Sequence, residues 1–511
     1  MPQTFLPIRR RGVIQSLSVA ALMIPFLCTV TSARSEDWPQ FRGTNSTGIS
    51  ASTKPLPVKF SATENVKWSA NIGDGVGCPV VAAGRVFVSG MTDKTTVSLF
   101  AFDEATGKQL WQRNWPTGKL SEVHETNSQA SATPAADADR VYFYFSTLGL
   151  LAVDAASGKD VWEQKLPTPF FVMKWGPGMS PVLYRDLVLF CQDDDLNPAL
   201  YAFDKKTGKL RWKDERLDMA VNYSHPVIST ANGRDDIVVA GTGMLIGYDP
   251  DTGKRRWFAK TLLRNIKTTP VCQDGIIYIS VQSGGIANQW LASVDQVKTG
   301  NQDGKLDKKE IQAFVGETPV PEAFFKRTFD RGDLNHDGFL EGRELDIAFL
   351  HPDNFAGATF TQLGEKAAEQ FIMAIRGGGE GDVTKTHLLW KHPTKHTDHI
   401  VSPFVADGRM FLLKEGGIST VFDIQKGIAL RDPKRLGNNG SFFASPILGD
   451  GKIYLAGENG KVLVLKNSPE YEELASNDLG ESIIATPAIA DGALFIRTRT
   501  KLLSISASGA Q

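Results

Sequence analysis

The sequence predicts an all-β fold: an eight-bladed β-propeller of four-stranded antiparallel blades, with an α-helical insertion in blade 5. Three observations carry this. A proline opens an apolar stretch at eight places along the chain. Short β-branched and aromatic runs bounded by turn residues recur within each unit. The strand missing from the last unit is present near the start of the chain.

The prolines are Pro79, Pro134, Pro181, Pro226, Pro270, Pro403, Pro446 and Pro487, at intervals of 55, 47, 45, 44, 133, 43 and 41 residues. Repeats of this length are the signature of stacked or radial architectures. A second run follows a turn in each unit, as in Gly84-Arg85-Val86-Phe87-Val88, Asp139-Arg140-Val141-Tyr142-Phe143 and Gly451-Lys452-Ile453-Tyr454-Leu455. No helical stripe of 3.6-residue period runs through these units.

A third marker closes the unit: Ala101, Asp103, Thr106, Gly107, Lys108 and Trp111 recur as Ala152, Asp154, Ser157, Gly158, Lys159 and Trp162. They return as Ala202, Asp204, Thr207, Gly208, Lys209 and Trp212, and as Gly247, Asp249, Thr252, Gly253, Lys254 and Trp257. Such spacing describes a hairpin in which Asp caps the turn, Gly takes positive φ and Trp anchors the next strand. Small Ala or Gly at the first position leaves room for an indole. The sixth unit keeps Asp423 and Gly427 but has Arg431 where Trp would stand, and the last two units lack the motif.

These residues resemble the tryptophan-docking repeat of the pyrroloquinoline-quinone (PQQ) repeat propellers, over nearly the whole chain beyond its leader. The segment Trp38-Pro39-Gln40-Phe41-Arg42-Gly43 resembles the opening of exported bacterial members and is expected to pack as a lead-in. The last unit stops after Lys501-Leu502-Leu503-Ser504-Ile505, one strand short, and Asn65-Val66-Lys67-Trp68-Ser69 supplies a strand that closes the ring. Closure of this kind removes the open sheet edge.

The 133-residue interval holds about 85 to 90 extra residues, where the patterning turns helical. Within it, Asp333 to Glu344 matches the twelve-residue EF-hand loop at its diagnostic positions. Asp333, Asn335 and Asp337 offer side-chain oxygens, Phe339 its carbonyl, Glu341 a group acting through water, and Glu344 a bidentate carboxylate. Gly338 permits the bend, Leu340 suits pairing with a sister loop, and Ala323 to Phe329 and Leu345 to Leu350 read as flanking amphipathic helices. The sister loop runs from Thr299 to Glu310, with Asn301, Asp303, Lys305 through its carbonyl, Asp307 and Glu310 in ligand positions. Its neutral Thr299 at the first position predicts weaker calcium binding than a carboxylate would give.

The expected organisation is a signal peptide over 1–35, propeller over 36–285, EF-hand insertion over 286–368 and propeller over 369–511. Arg9, Arg10 and Arg11 precede an apolar stretch from Val13 to Val30, and Ala33 and Ser35 suit cleavage. The protein is therefore expected to be exported, periplasmic or secreted, without a transmembrane span after cleavage. Leu27 before Cys28 argues against a lipid anchor. Cys78, Cys191 and Cys272 remain, an odd number with no C-x-x-C spacing. A formal net charge of −1 without long runs of one sign gives no nucleic-acid footprint.

Catalytic residues do not emerge. Quinone-dependent alcohol dehydrogenases resemble one another in an adjacent Cys pair and an acidic base, and the chain has no Cys-Cys. Cys78, Thr133, Ser180, His225, Thr269, Ser402, Ser445 and Thr486 precede the marker prolines and should ring the channel mouth. Small residues there favour close convergence of the strands; a polar-ligand ring is the other reading. Lys174 to Pro177 and Lys267 are expected nearby, His392, His396 and His399 lack metal-site spacing, and Asp193-Asp194-Asp195 reads as a solvated turn. The expected function is a calcium-binding, non-catalytic binding or scaffold propeller with a protein or polar-ligand partner, resembling in architecture the propeller lipoprotein of outer-membrane β-barrel assembly. A PQQ-dependent oxidoreductase is the alternative.

Overall fold

The computed structural model describes residues 1–4 and 36–507, apart from 220, 262–265, 283–290, 298, 351–369, 396, 398–399 and 438–439. The expected leader beyond residue 4 and both borders of the insertion fall outside the described residues. Ser35–Gln511 forms one compact unit; of the other unit, Met1–Arg34, only 1–4 are described.

Eight antiparallel sheets make the blades, seven of four strands and one of five. Blade 1 runs outward through Val80–Ala82, Arg85–Asp93, Thr96–Asp103 and Gln109–Pro116. The later blades begin at Ala135–Ala136, Val182–Tyr184, Val227–Ala231, Val271–Gln273, Phe404–Ala406, Ile447–Gly449 and Ala488–Ala490, each just after a marker proline. Blade 4 gains Gly381–Asp382 as a short parallel strand, with Trp257 opposite Gly381. The ring closes as expected: Val66–Asn71 pairs antiparallel with Lys501–Ser506, Ala70 facing Leu502.

The tryptophans dock between blades. Trp68, Trp111, Trp162, Trp212 and Trp390 each donate their indole N–H to a carbonyl of the following blade, namely those of Glu104, Ala155, Lys205, Pro250 and Ile424, at 2.8 to 3.1 Å. Each ring lies on the turn glycine of that blade. A Cβ on Gly253 would come within 2.4 Å of Trp212, and one on Gly427 within 2.6 Å of Trp390. The repeated glycine is thus required by its positive φ and by the indole above it. Trp390 does for blade 5 what the motif does elsewhere; the insertion hides it by separating it from its unit's proline. Trp257 instead donates to Asp236 Oδ2 within its own blade, and Gly247 makes room for it.

The lead-in packs across the inner strands. Trp38 bridges to Val81, Pro39 accepts the Ala136 N–H, Gln40 accepts that of Leu183, Asn45 bonds Ile228 in both directions, and Gly48 accepts that of Leu448. One segment so ties five blades together. Arg42 is fully buried and donates to the carbonyls of Pro403 and Thr47, and burial brings its guanidinium down to about 9.

Between the second and third strands of blade 5, Ile276–Gln282 and Gln370–Arg376, the described residues form three α-helices: α1 (Lys308–Val315), α2 (Glu322–Gly332) and α3 (Arg343–Leu350). Asp307 and Glu310 form a reciprocal capping box at the start of α1. Phe324, Phe325, Thr328 and Phe329 form the buried face of α2.

Candidate functional site

Two places in the molecule carry chemistry: the paired loops of the insertion and the mouth of the central channel.

In the second loop Asp333 accepts the N–H groups of Asp337 and Gly338 at 3.1 and 2.9 Å. Asn335 Nδ2 donates to Asp337 Oδ2 at 3.0 Å, Asp337 Oδ1 accepts from Phe339 N–H, and Glu344 folds back to accept from Leu334 N–H at 2.9 Å. Glu341 is turned partly aside by an ion pair with Lys305 at 2.9 Å.

The first loop reproduces this network, with one substitution. Asn301 Nδ2 donates to Asp303 Oδ2 at 3.0 Å, Asp303 Oδ1 accepts from Lys305 N–H, and Glu310 accepts from Asn301 and Asp307 N–H. The carboxylate that accepts the N–H groups of Asp303 and Gly304, at 3.0 and 3.1 Å, belongs to Asp295. Thr299 does not hold this place. A single π-helical turn over Leu291–Asp295, closed by Gln296 N–H to the Leu291 carbonyl, delivers Asp295 to the loop. Beyond it, Gly300 N–H is tied to the Val297 carbonyl. Oxygens of Asp295, Asp303 and Glu310 lie within 4.8 Å of one another. The two loops pair through Leu306 and Leu340, each donating its N–H to the other's carbonyl at 3.0 and 2.9 Å. Fixed-length motif matching, anchored on Gly304 and Glu310, cannot find an aspartate displaced by four residues. That spacing is why Thr299 was expected there.

At the channel mouth the residues before the marker prolines form a belt. Cys78 N–H donates to Thr133 Oγ1 at 2.9 Å, and Thr133 N–H to Ser180 Oγ at 3.1 Å. Thr269 donates to Ser402, Ser402 to Ser445 and Ser445 to Thr486, at 2.9, 3.1 and 2.9 Å. Thr486 in turn hydrogen-bonds the Cys78 sulfur, whose thiol burial pushes up. The hydroxyls are thus acceptors for the adjacent blade's backbone, and their smallness lets the strands converge. Among the described residues the relay breaks only between Ser180 and His225.

His225 is buried beneath Phe41, with ring centroids 4.6 Å apart. Its Nδ1 lies 3.4 Å from Thr269 Oγ1, and its Nε2 has no hydrogen-bond partner among the described residues. Burial first, then the charge of Arg42, holds the imidazole down to about 4, so it is neutral at physiological pH. Above the belt opens a cavity of about 420 Å³, with Phe41, Trp175, Tyr223 and Phe442 among its walls and Lys267 at its side. Lys267 Nζ stands 4.5 Å from the Trp175 ring centroid, and His124 stacks on that indole at 5.0 Å.

A PQQ-repeat family profile described as outer membrane protein assembly factor BamB matches residues 41–174 and 99–325, more than half of the chain. The chain belongs to the PQQ-repeat β-propeller family. Among PQQ-repeat relatives, the outer membrane protein assembly factor BamB of Yersinia pestis is 26% identical over 45% of this chain and 60% of that protein. BamB of Shewanella oneidensis is 25% identical over 54% of this chain and 68% of its own length. The 1-butanol dehydrogenase (quinone) of Thauera butanivorans is 30% identical, over only 23% of this chain and 20% of that enzyme.

Two expectations need correction or restriction. Asp193, Asp194 and Asp195 are not a solvated turn; all three are buried. Asp193 pairs with the fully buried Arg216 at 2.7 Å. Asp194 accepts the N–H groups of Phe170 and Asn197, both at 2.8 Å, and burial raises its carboxyl to about 7. Asp195 accepts the N–H of Val172 at 3.0 Å. A run of like charges reads as solvated only while its partners, here an arginine and backbone amides from other segments, stay unseen. His392 donates from Nε2 to the Lys426 carbonyl at 3.1 Å, and His396 and His399 lie outside the described residues.

Proposed function

We propose that the protein is an exported, calcium-binding PQQ-like propeller that acts as a non-catalytic binding or scaffold protein. Calcium is assigned to the inserted loops as a pair of EF-hand sites. Asp333, Asn335, Asp337, Phe339 and Glu344 serve one site, with Glu341 through water. Asp295, Asn301, Asp303, Lys305 and Glu310 serve the other. The observation that carries this is the duplication of one hydrogen-bond network in both loops, with a carboxylate at the first position of each. Hard oxygen donors of this number and kind suit calcium. Asp307, expected as a ligand, spends its side chain on the capping box of α1.

The arginine-led apolar leader and the outer-membrane relatives support export and a protein partner at the propeller face. PQQ-dependent oxidation is less well supported. The quinone-enzyme match covers only a small part of either chain, no Asp or Glu lines the cavity among the described residues, and the sequence has no adjacent Cys pair. This lining, without a carboxylate or an adjacent Cys pair, does not fit that cofactor.

Calorimetry on the mature chain tests the calcium reading. Two sites are expected, one lost in Glu344→Gln and the other in Glu310→Gln. Unchanged calcium binding in both variants overturns it. Dye-linked alcohol oxidation after addition of quinone and calcium would overturn the non-catalytic reading.

A further inference from the structure

The connection from blade 2 to blade 3 has one end in the insertion and the other in the channel cavity. Phe170, Val172 and Met173 pack into the apolar core of the inserted helices, Phe170 meeting Phe324 edge-on at 5.5 Å. Lys174 Nζ lies 5.8 Å from the centroid of Phe314. The next residues, Trp175 to Gly178, form a wall of the cavity. Asn127 Nδ2 holds the carbonyls of Trp175 and Pro177 at 2.8 and 3.1 Å, and Ser131 Oγ holds that of Pro177 at 2.6 Å.

The topology makes this juxtaposition necessary. Connections between blades and those between second and third strands leave the same face of a four-stranded blade. The insertion in blade 5 therefore shares a face with the channel mouth and with residues 165–181. Phe170, Val172, Met173 and Leu196 of the propeller lie against its apolar core.

In sensor-type EF-hand pairs, calcium changes the angle between the helices, and with it the apolar surface they present. A segment seated on that surface interacts differently with the two states, which is the condition for coupling. We propose that calcium loading of the insertion sets the position of residues 170–178, making the channel cavity a calcium-regulated ligand site. This rests on the calcium reading above and adds its consequence for the propeller. By linkage, a molecule that fills the cavity and orders Trp175 tightens calcium binding by the same factor.

Hydrogen–deuterium exchange on the mature chain, with calcium and with chelator, tests it. Calcium is expected to slow exchange at least tenfold in peptides from 291–350 and in those covering 170–178. The Glu310→Gln, Glu344→Gln double variant should lose both effects. Slowing confined to 291–350 overturns the coupling and leaves the calcium sites standing. No slowing anywhere overturns the calcium reading with it.

Discussion

The carboxylate of Asp295 accepts the backbone N–H of Asp303 across 3.0 Å, the same bond that Asp333 makes to Asp337 at 3.1 Å. In the proposed calcium site, Asp295 therefore takes the first ligand position of a loop that outwardly begins with Thr299. Asp295→Asn should weaken the first calcium site by at least tenfold, because ligand charge sets affinity in such loops. Thr299→Ala should leave it unchanged. Calorimetric titration of both variants distinguishes the two assignments; the reverse pattern would return the position to Thr299.

Calcium removal should destabilise the insertion before the propeller. Binding to the folded state alone adds about 2.7 kcal/mol per site at free calcium 100 times Kd. Calorimetric unfolding with chelator should show an early transition that calcium shifts upward, with the propeller transition little moved. A single transition unaffected by chelator contradicts this.

The channel belt predicts an unusual cost for a small truncation. Ser402 Oγ accepts the buried N–H of Thr269 at 2.9 Å. Ser402→Ala leaves that donor without a partner and should cost about 1–3 kcal/mol in urea unfolding. Ser402→Thr keeps the acceptor and should cost less.

Two turn glycines with similar backbones should respond differently to alanine. Gly253 has φ 70° and sits under Trp212, whereas Gly451 has φ 65° and open space around its Cβ position. Gly451→Ala should cost only the left-handed strain of about 1–2 kcal/mol. Gly253→Ala must also displace the indole and should cost more by about 1–3 kcal/mol. Equal losses would mean that the indole shifts freely.

His225 predicts an acid-side instability. Its folded pKa, about 4, lies below the ordinary histidine value of 6.5. The unfolded chain therefore binds the extra proton between these values, and stability is lost as pH falls from 6.5 towards 4. The loss is about 3 kcal/mol from this group. Urea unfolding between pH 7 and 4 should show a shallower decline in His225→Gln. Parallel profiles would remove His225 as the cause.

The propeller was legible because its units repeat the same local requirements. A proline before each inner strand recurs eight times and the turn glycine with its tryptophan four times, and these short-range signals reinforce one another. Even the closing strand could be read, since Lys501 to Ile505 lacked a partner that Val66 to Ser69 could supply. The acidic loops were half legible. Asp333 to Glu344 keeps standard spacing, so the order of its residues matches the order of their places in the loop's hydrogen-bond network. Asp295 stands outside the standard spacing because a π-helical turn brings it to the loop from four residues before Thr299.

What the sequence by itself determined, then, is the blade count, the closure and one complete acidic loop, all of which follow from neighbours in the chain. Tertiary structure alone decided that Asp193, Asp194 and Asp195 are buried, that the belt hydroxyls serve adjacent blades, and that Phe170 to Gly178 joins the insertion to the channel. The physical reason is shared. What a side chain does depends on which donors, acceptors or apolar surfaces reach it after folding, and most of those partners come from segments far away in sequence.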